Sequence, residues 1–198
     1  MRRGKDGRLL FELGDAVWLP PRALPPAGGV AIIKSVSELM TDYGPEVILV
    51  FHRPYNFKGL PSRTVKEFQI PYGDGRNLDV RDPMAPEALD IALRMSGNRD
   101  LLKLSAPAPI RHRYVYPQMM AEGFWGWVKV LRDLSSRKRS FGRDKDLYDE
   151  LAETMFWEVI GTDMRRRREP VGVVVEDARR MVSEAVSERP KEGPRWKT

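Results

Sequence analysis

Two short apolar runs, residues 30–36 (VAIIKSV) and 47–51 (VILVF), decide how the first half of this chain folds. Each is rich in β-branched residues, too short for a stable helix, and bounded by turn-forming sequence, which together predict strands. Outward from them, residues 11–19 (FELGDAVWL) and 64–70 (TVKEFQI) show looser alternation of the same kind. The separators PPRALPPAGG (20–29), TDYGPE (41–46), HRPYNFKGLPSR (52–63) and PYGDGRN (71–77) are rich in Gly, Pro, Asn and Asp, whose backbone preferences favour turns.

Strands of this size between Gly and Pro clusters predict a small antiparallel β-barrel of the Tudor or SH3-like kind. After Pro83 the pattern becomes helical, so the expected class is α+β, an N-terminal barrel followed by a C-terminal helical bundle. Pro86 opens a helix with Ala88, Leu89, Ala92 and Leu93 on one face, ending at Ser96-Gly97-Asn98. Residues 101–109 read as a linker held extended by Pro107 and Pro109. A helix over 121–140 carries Phe124, Trp127, Val128, Leu131 and Leu134 as a buried stripe and stops at Gly142. Asp144 is placed to cap the next helix, whose Leu147, Leu151, Met155 and Val159 share a face and which Gly161 ends. Pro170 opens the last helix, with Val171, Val174, Val175, Ala178, Val182, Ala185 and Val186 on its apolar side. The expected divisions are a barrel (1–84), a helix and linker (85–109), a helical domain (110–188) and a fraying tail (189–198).

The chain has 198 residues, with 34 Lys and Arg against 28 Asp and Glu and a formal net charge of +6. Without Cys, disulfides, thiolate zinc sites, iron–sulfur clusters and Cys nucleophiles are excluded, and His52 and His112 alone leave little for a His-based metal site. Neither a metal nor a cofactor is expected. GDGRN (73–77) is a turn with no suitable helix behind it, so it is no phosphate loop of the P-loop kind. Pairs such as Asp144/Asp146 and Asp149/Glu150 lie on an amphipathic helix, where they serve capping and solubility, and the chain is not expected to be an enzyme. No apolar run approaches the roughly 20 residues of a membrane-spanning helix, and the opening MRRGKDGRLLFELGD is charged, so a cytoplasmic protein without a membrane partner is expected.

Charge is unevenly placed. Residues 1–90 are neutral overall, whereas residues 94–143 carry 11 basic against three acidic side chains, a net of +8. A neutral half joined to a basic segment suggests one surface for a protein and one for a polyanion; the alternative is an Arg-rich solvated surface. On the 121–140 helix, Trp125, Lys129, Arg132, Ser136 and Arg139 lie along one side, with Arg137 nearby. An indole beside cations suits phosphate binding with stacking; alternatively Trp125 is partly buried near the helix start. The run Arg165 to Arg168 is either solvated or a second phosphate site. Val47, Leu49 and Phe51 are either core side chains or an exposed edge that pairs with a partner, followed by His52 and Arg53 to orient it.

The order of these features resembles the CarD/CdnL family of bacterial transcription regulators over about residues 9–186. Gly14, Asp15, Val17 and Pro20 of GDAVWLP are similar to the opening of that family's Tudor-like module. Ile70, Pro71, Val80 and Arg81 are similar to the exit from its last strand, and Val130, Leu131, Arg132, Asp133, Leu134, Gly142 and Asp144 to its helical bundle. The resemblance implies a module that binds the RNA polymerase β subunit by sheet extension, without carrying over the contacts residue by residue; the contacts expected from the strand reading above are Val47, Leu49, Phe51 and Arg53. It also implies a helical domain on promoter DNA at the upstream edge of the transcription bubble, where basic residues grip phosphate and a Trp wedges into the minor groove. The DNA contacts expected on this basis are Ile110, Arg111, Arg113, Tyr114, Trp125, Lys129, Arg132, Arg137 and Arg139, in a nucleoid-associated protein that is monomeric when free. The alternative for Arg111, Arg113 and Tyr114 is an ordinary linker with Tyr114 packed on the bundle. Two departures matter. The family's Trp position falls on Ile110, which can press on a base step but lacks a stacking face, and Trp125 is the other candidate for its role. PPRALPPAGG and HRPYNFKGLPSR are longer and more Pro-rich than the family's turns. The rival functions are a divergent polymerase adapter without the wedge, competing with another factor, and an unrelated SH3-like RNA-binding or ribosome-associated protein.

Overall fold

The structure is a computed structural model that describes residues 2–3, 9–10, 12–19, 29–42, 44–56, 58–72, 81–96, 104–136 and 142–186. A short antiparallel pair, β1 (Arg2–Arg3) and β2 (Leu9–Leu10), precedes the main sheet. That sheet comprises β3 (Ala16–Leu19), β4 (Gly29–Thr41), β5 (Gly44–Tyr55) and β6 (Pro61–Tyr72), antiparallel throughout and ordered β3-β4-β5-β6. The β-branched runs are strands as the sequence predicts, lengthened on both sides. Gly44, at φ +113°, closes the β4–β5 turn opposite Thr41 in a conformation that only glycine adopts cheaply. The pairing register shifts between Ile33 and Ser35 on β4 and between Arg53 and Tyr55 on β5.

Alternation sorts the side chains between two faces. Val30 and Ile32 join the core formed with the helices, with Ala16 and Trp18 packed against it. Val17, Leu19, Ala31, Ile33, Leu49 and Phe51 are equally buried but lie outside that cluster. Among the described residues the sheet is open, where sequence predicts a closed barrel. Its first edge receives one further residue, Arg81, which exchanges backbone bonds of 2.8 and 3.2 Å with Trp18 and stacks its guanidinium 4.2 Å from the centroid of the Trp18 ring.

The helices, which make the class α+β, are α1 (Pro86–Ser96), α2 (Ala108–Ile110), α3 (Tyr116–Met120), α4 (Phe124–Ser136), α5 (Arg143–Arg167) and α6 (Val171–Val186), with a π-helical turn (Arg111–Val115) between α2 and α3. The starts at Pro86 and just after Pro170 follow the sequence reading. Pro109 does not hold a linker extended; it sits in the first turn of α2, where its missing N–H has no helical partner to lose. The helix expected from residue 121 starts at Phe124, after Gly123 at φ +74°, and its expected end at 137–140 lies outside the described residues, as does the tail 189–198. Asp144 is not a cap: the residue before α5 is Gly142, and no side chain caps it.

Gly161 does not end α5. A Cβ there would sit 2.7 Å from Val30 Cγ1 and 2.8 Å from Pro83 Cγ, so the glycine permits close approach of the helix to the sheet. From Leu151 to Asp163 every residue except Glu153 is buried, and α5 packs on β3, β4, α1, α4 and α6. Pro83 and Met84, at the expected 84/85 junction, are held by this helix: the Met84 N–H donates to Glu158 Oε1 (2.6 Å) and Thr162 Oγ1 to the Met84 carbonyl (3.1 Å). No helix among the described residues is long and apolar enough to cross a membrane.

The helix stops at Arg168, in the left-handed region (φ 59°, ψ 36°), its N–H donating to the Met164 carbonyl at 2.8 Å. Glycine escapes the steric cost that any side chain incurs there, so Arg168→Gly is expected to stabilise the protein by about 0.5–1 kcal/mol and raise Tm by roughly 2 °C in a thermal melt. Its three neighbours tie elements together: Arg165 pairs with Asp82 (3.3 Å), Arg166 with Asp90 (2.8 Å) and Arg167 with Asp177 (2.8 Å). These internal pairs favour structural roles for the run over a second phosphate site.

Candidate nucleic-acid interface

In an α-helix, residues five apart point to different sides. In the π-helical turn the Tyr116 N–H donates to the Arg111 carbonyl, and the wider turn brings positions 111 and 116 round to one side. That side is the interior. Arg111 is 5% exposed; its Nε donates to the Tyr116 hydroxyl (3.0 Å) and its Nη1 to the Ala106 carbonyl (2.6 Å). Its guanidinium also lies 3.6 Å from Asp133 Oδ2 and 3.5 Å from Asp144 Oδ2. The Tyr116 hydroxyl donates to Asp133 Oδ2 (2.6 Å), the Leu104 N–H donates to Asp133 Oδ1 (3.0 Å), and His112 is hydrogen-bonded to Asp144. Burial, helped by the bond to Asp133, pushes the Tyr116 phenol up to about 12, so it remains a donor at neutral pH.

The opposite side faces solvent. Ile110 is 47% and Tyr114 55% exposed, and Arg113 between them places its guanidinium 5.3 Å from the centroid of the Tyr114 ring. Exposed Pro117 follows them on the start of α3, so these side chains are open to solvent while Arg111 and Tyr116 are not. Tyr116, rather than Tyr114, is the tyrosine that packs on the bundle. The buried network thus fixes the base of a projecting apolar, aromatic and cationic face.

Other expected contacts are placed differently. Arg111 and Arg132 are interior, not surface phosphate ligands. Arg132 donates from Nε to the Ala185 carbonyl (3.0 Å) and ties α4 to the end of α6. The reason is that α4 is enclosed by α1, α3, α5 and α6, so Val130 to Leu134 are buried on every side and Arg132 leaves the outward stripe read from the sequence, of which Trp125, Lys129 and Ser136 keep partial exposure. Trp125 is half-buried, with Lys129 Nζ 5.4 Å from its ring centroid and paired to Glu122. Arg137 and Arg139 lie outside the described residues.

The proposed sheet contacts also change. β5 is internal, paired to β4 on one side and β6 on the other, so Val47, Leu49, Phe51 and Arg53 cannot form an exposed edge. Leu49 and Phe51 are core residues. Arg53 is buried, donating from Nε to the Val30 carbonyl (2.8 Å) and lying 3.7 Å from Glu153 Oε1; burial pulls its guanidinium down to about 10. The side chain of Val47 is outside the described structure.

No family model and no curated protein matches this chain. The residues that build the site and that local sequence reading overlooked as its supports are Tyr116, Asp133 and Asp144. The available signal was a carboxylate set between Leu131 and Leu134, where an interior position demands donors around it.

A second buried acid, Glu158 on α5, lies under the sheet. Burial pushes its carboxyl up, opposed by the Met84 N–H, Arg81 and Arg53. The folded protein therefore holds this proton more tightly than the unfolded chain, and the associated stability, present below the ordinary Glu range, is lost as pH rises through the elevated folded value. Glu158→Gln keeps an acceptor for Met84 and cannot ionise. Its Tm relative to wild type is expected to rise by a few degrees between pH 5 and pH 8, and parallel Tm profiles would contradict this.

Proposed function

We propose that this chain is a CarD-type transcription regulator: its N-terminal module binds the β subunit of bacterial RNA polymerase, and its helical half binds promoter DNA near the upstream edge of the bubble and alters open-complex stability. The observation that carries the reading is the outward face of Ile110, Arg113 and Tyr114. Apolar side chains serve minor-groove proteins as wedges, and an aromatic ring beside a cation suits an unstacked base next to a phosphate. On this reading Ile110 is the wedge, Tyr114 and Arg113 flank it, Trp125 and Lys129 lie to the side, and Arg111 and Arg132 are supports.

The Tudor-like, barrel form of the first module draws on two features. The bridge from Arg81 to Trp18 joins the chain that leaves β6 to the opposite edge of the sheet, and the second sheet face is itself buried. Since β5 has no free edge, a polymerase strand would add to β3 or β6. The protein would act as a cytoplasmic, nucleoid-associated monomer, with the polymerase contact raising the local concentration of a weak DNA binder.

The adapter reading gains from the burial of Arg111 and Arg132, which removes two expected phosphate contacts from the surface. Pull-down with the β subunit and open-complex half-life on a promoter separate the two. Wild type is expected to bind β and change the half-life. Ile110→Ala and Tyr114→Ala are expected to keep β binding and lose about fivefold or more of that effect, in line with ~1–3 kcal/mol for a stacked base. Failure to bind β would overturn both readings; binding with no change in half-life would leave the adapter.

A further inference from the structure

We infer that Glu122 is a built-in competitor for the DNA backbone at Lys129, an inference that rests on the nucleic-acid reading above. The Glu122 carboxylate accepts a hydrogen bond from the Lys129 ammonium, which in turn lies 5.4 Å from the centroid of the Trp125 ring. Acid, cation and indole form a stack in which Lys129 covers the ring and Glu122 covers Lys129.

The backbone holds this arrangement in place. Gly123, at φ +74°, turns the chain between α3 and α4, and the Glu122 Cβ lies 3.1 Å from where a side chain on Gly126 would begin. The base of Glu122 therefore lies beside the first turn of α4, with its carboxylate within reach of Lys129 one turn further on. Access comes from the acid's side, since the Glu122 side chain is 46% exposed against 22% for Lys129.

An exposed pair of this kind contributes only about 0.2–1 kcal/mol, so a phosphate oxygen can take the place of the carboxylate. The exchange moves Lys129 from Glu122 to phosphate and frees the indole face for a sugar or base. No bond other than hydrogen bonds changes. Glu122 thus lowers affinity for nucleic acid and weakens its dependence on salt, because one cation of the interface arrives already neutralised.

The test measures binding of a fluorescently labelled promoter fragment by anisotropy between about 50 and 200 mM salt, the range over which phosphate contacts are most visible. The proteins are wild type, Glu122→Gln, Lys129→Gln, the double variant, and Glu176→Gln as a control for loss of one exposed carboxylate elsewhere. Glu122→Gln is expected to bind about two- to fivefold tighter with a salt slope steeper by up to about one. The gain should vanish in the Lys129→Gln background and be absent in Glu176→Gln. An equal gain in either would reduce Glu122 to a bulk charge and overturn the inference, as would no gain at all while wild type binds. Absence of DNA binding by wild type and every variant would instead remove the nucleic-acid reading itself.

Discussion

Gly126→Ala is expected to destabilise the protein by at least about 3 kcal/mol and lower Tm by roughly 10 °C. On helix propensity alone the change should stabilise, since Ala exceeds Gly by about 1 kcal/mol inside a helix. Tertiary contact reverses the sign. An alanine Cβ would lie 1.6 Å from the Met119 carbonyl oxygen and 2.6 Å from its carbon, backbone atoms that cannot rotate aside. Relief requires α3 and α4 to separate, which opens the packing of Tyr116, Met119, Phe124 and Val128. Thermal denaturation followed by circular dichroism checks the sign directly: a variant as stable as wild type would contradict the tight corner.

Asp133→Ala is expected to cost about 3–5 kcal/mol, the range for breaking a buried ion pair from one side. Asp133 is fully buried and accepts from the Tyr116 hydroxyl and the Leu104 N–H while facing Arg111. Without it two donors lose this acceptor, and the guanidinium keeps Asp144 and the Ala106 carbonyl. Asp133→Asn retains one carbonyl acceptor and should cost clearly less. Because the same carboxylate anchors residues 104–116 beneath Ile110 and Tyr114, the function proposed above would have the Asn variant weaken the effect on open-complex half-life while β-subunit binding persists. Denaturant titration and the half-life assay check the two halves of this expectation.

Both predictions concern positions whose meaning changes between chain and fold. Read along the chain, Gly161 is a helix stop; in the fold it is the point where α5 presses on Val30 and Pro83, and the stop is Arg168. Glycine signals a special backbone or a close approach, and periodicity cannot say which. The basic residues divide in the same way. Arg111 and Arg113 are two apart and equivalent as letters, yet one joins a buried network and the other projects to solvent. The projecting face was legible in part: Arg113 and Tyr114 stand out in a basic-aromatic cluster with Arg111, which turns inward instead, and Ile110 is singled out only by the family resemblance. Its supports were less so, because Asp133 and Asp144 act across 17 to 32 residues of chain.

The sequence by itself determined the α+β class, the β-branched runs that become β4 and β5, the helix starts at Pro86 and after Pro170, and the apolar face of α6. Each depends on propensity, proline geometry or a period that operates within one strand or a few helical turns. Only the tertiary structure decided which cations meet solvent and which strand forms an edge. Burial on α4 follows from the number of helices around it, sheet order from non-local pairing, and the facing of Arg111 and Tyr116 from one π-helical turn, none of which a local period records.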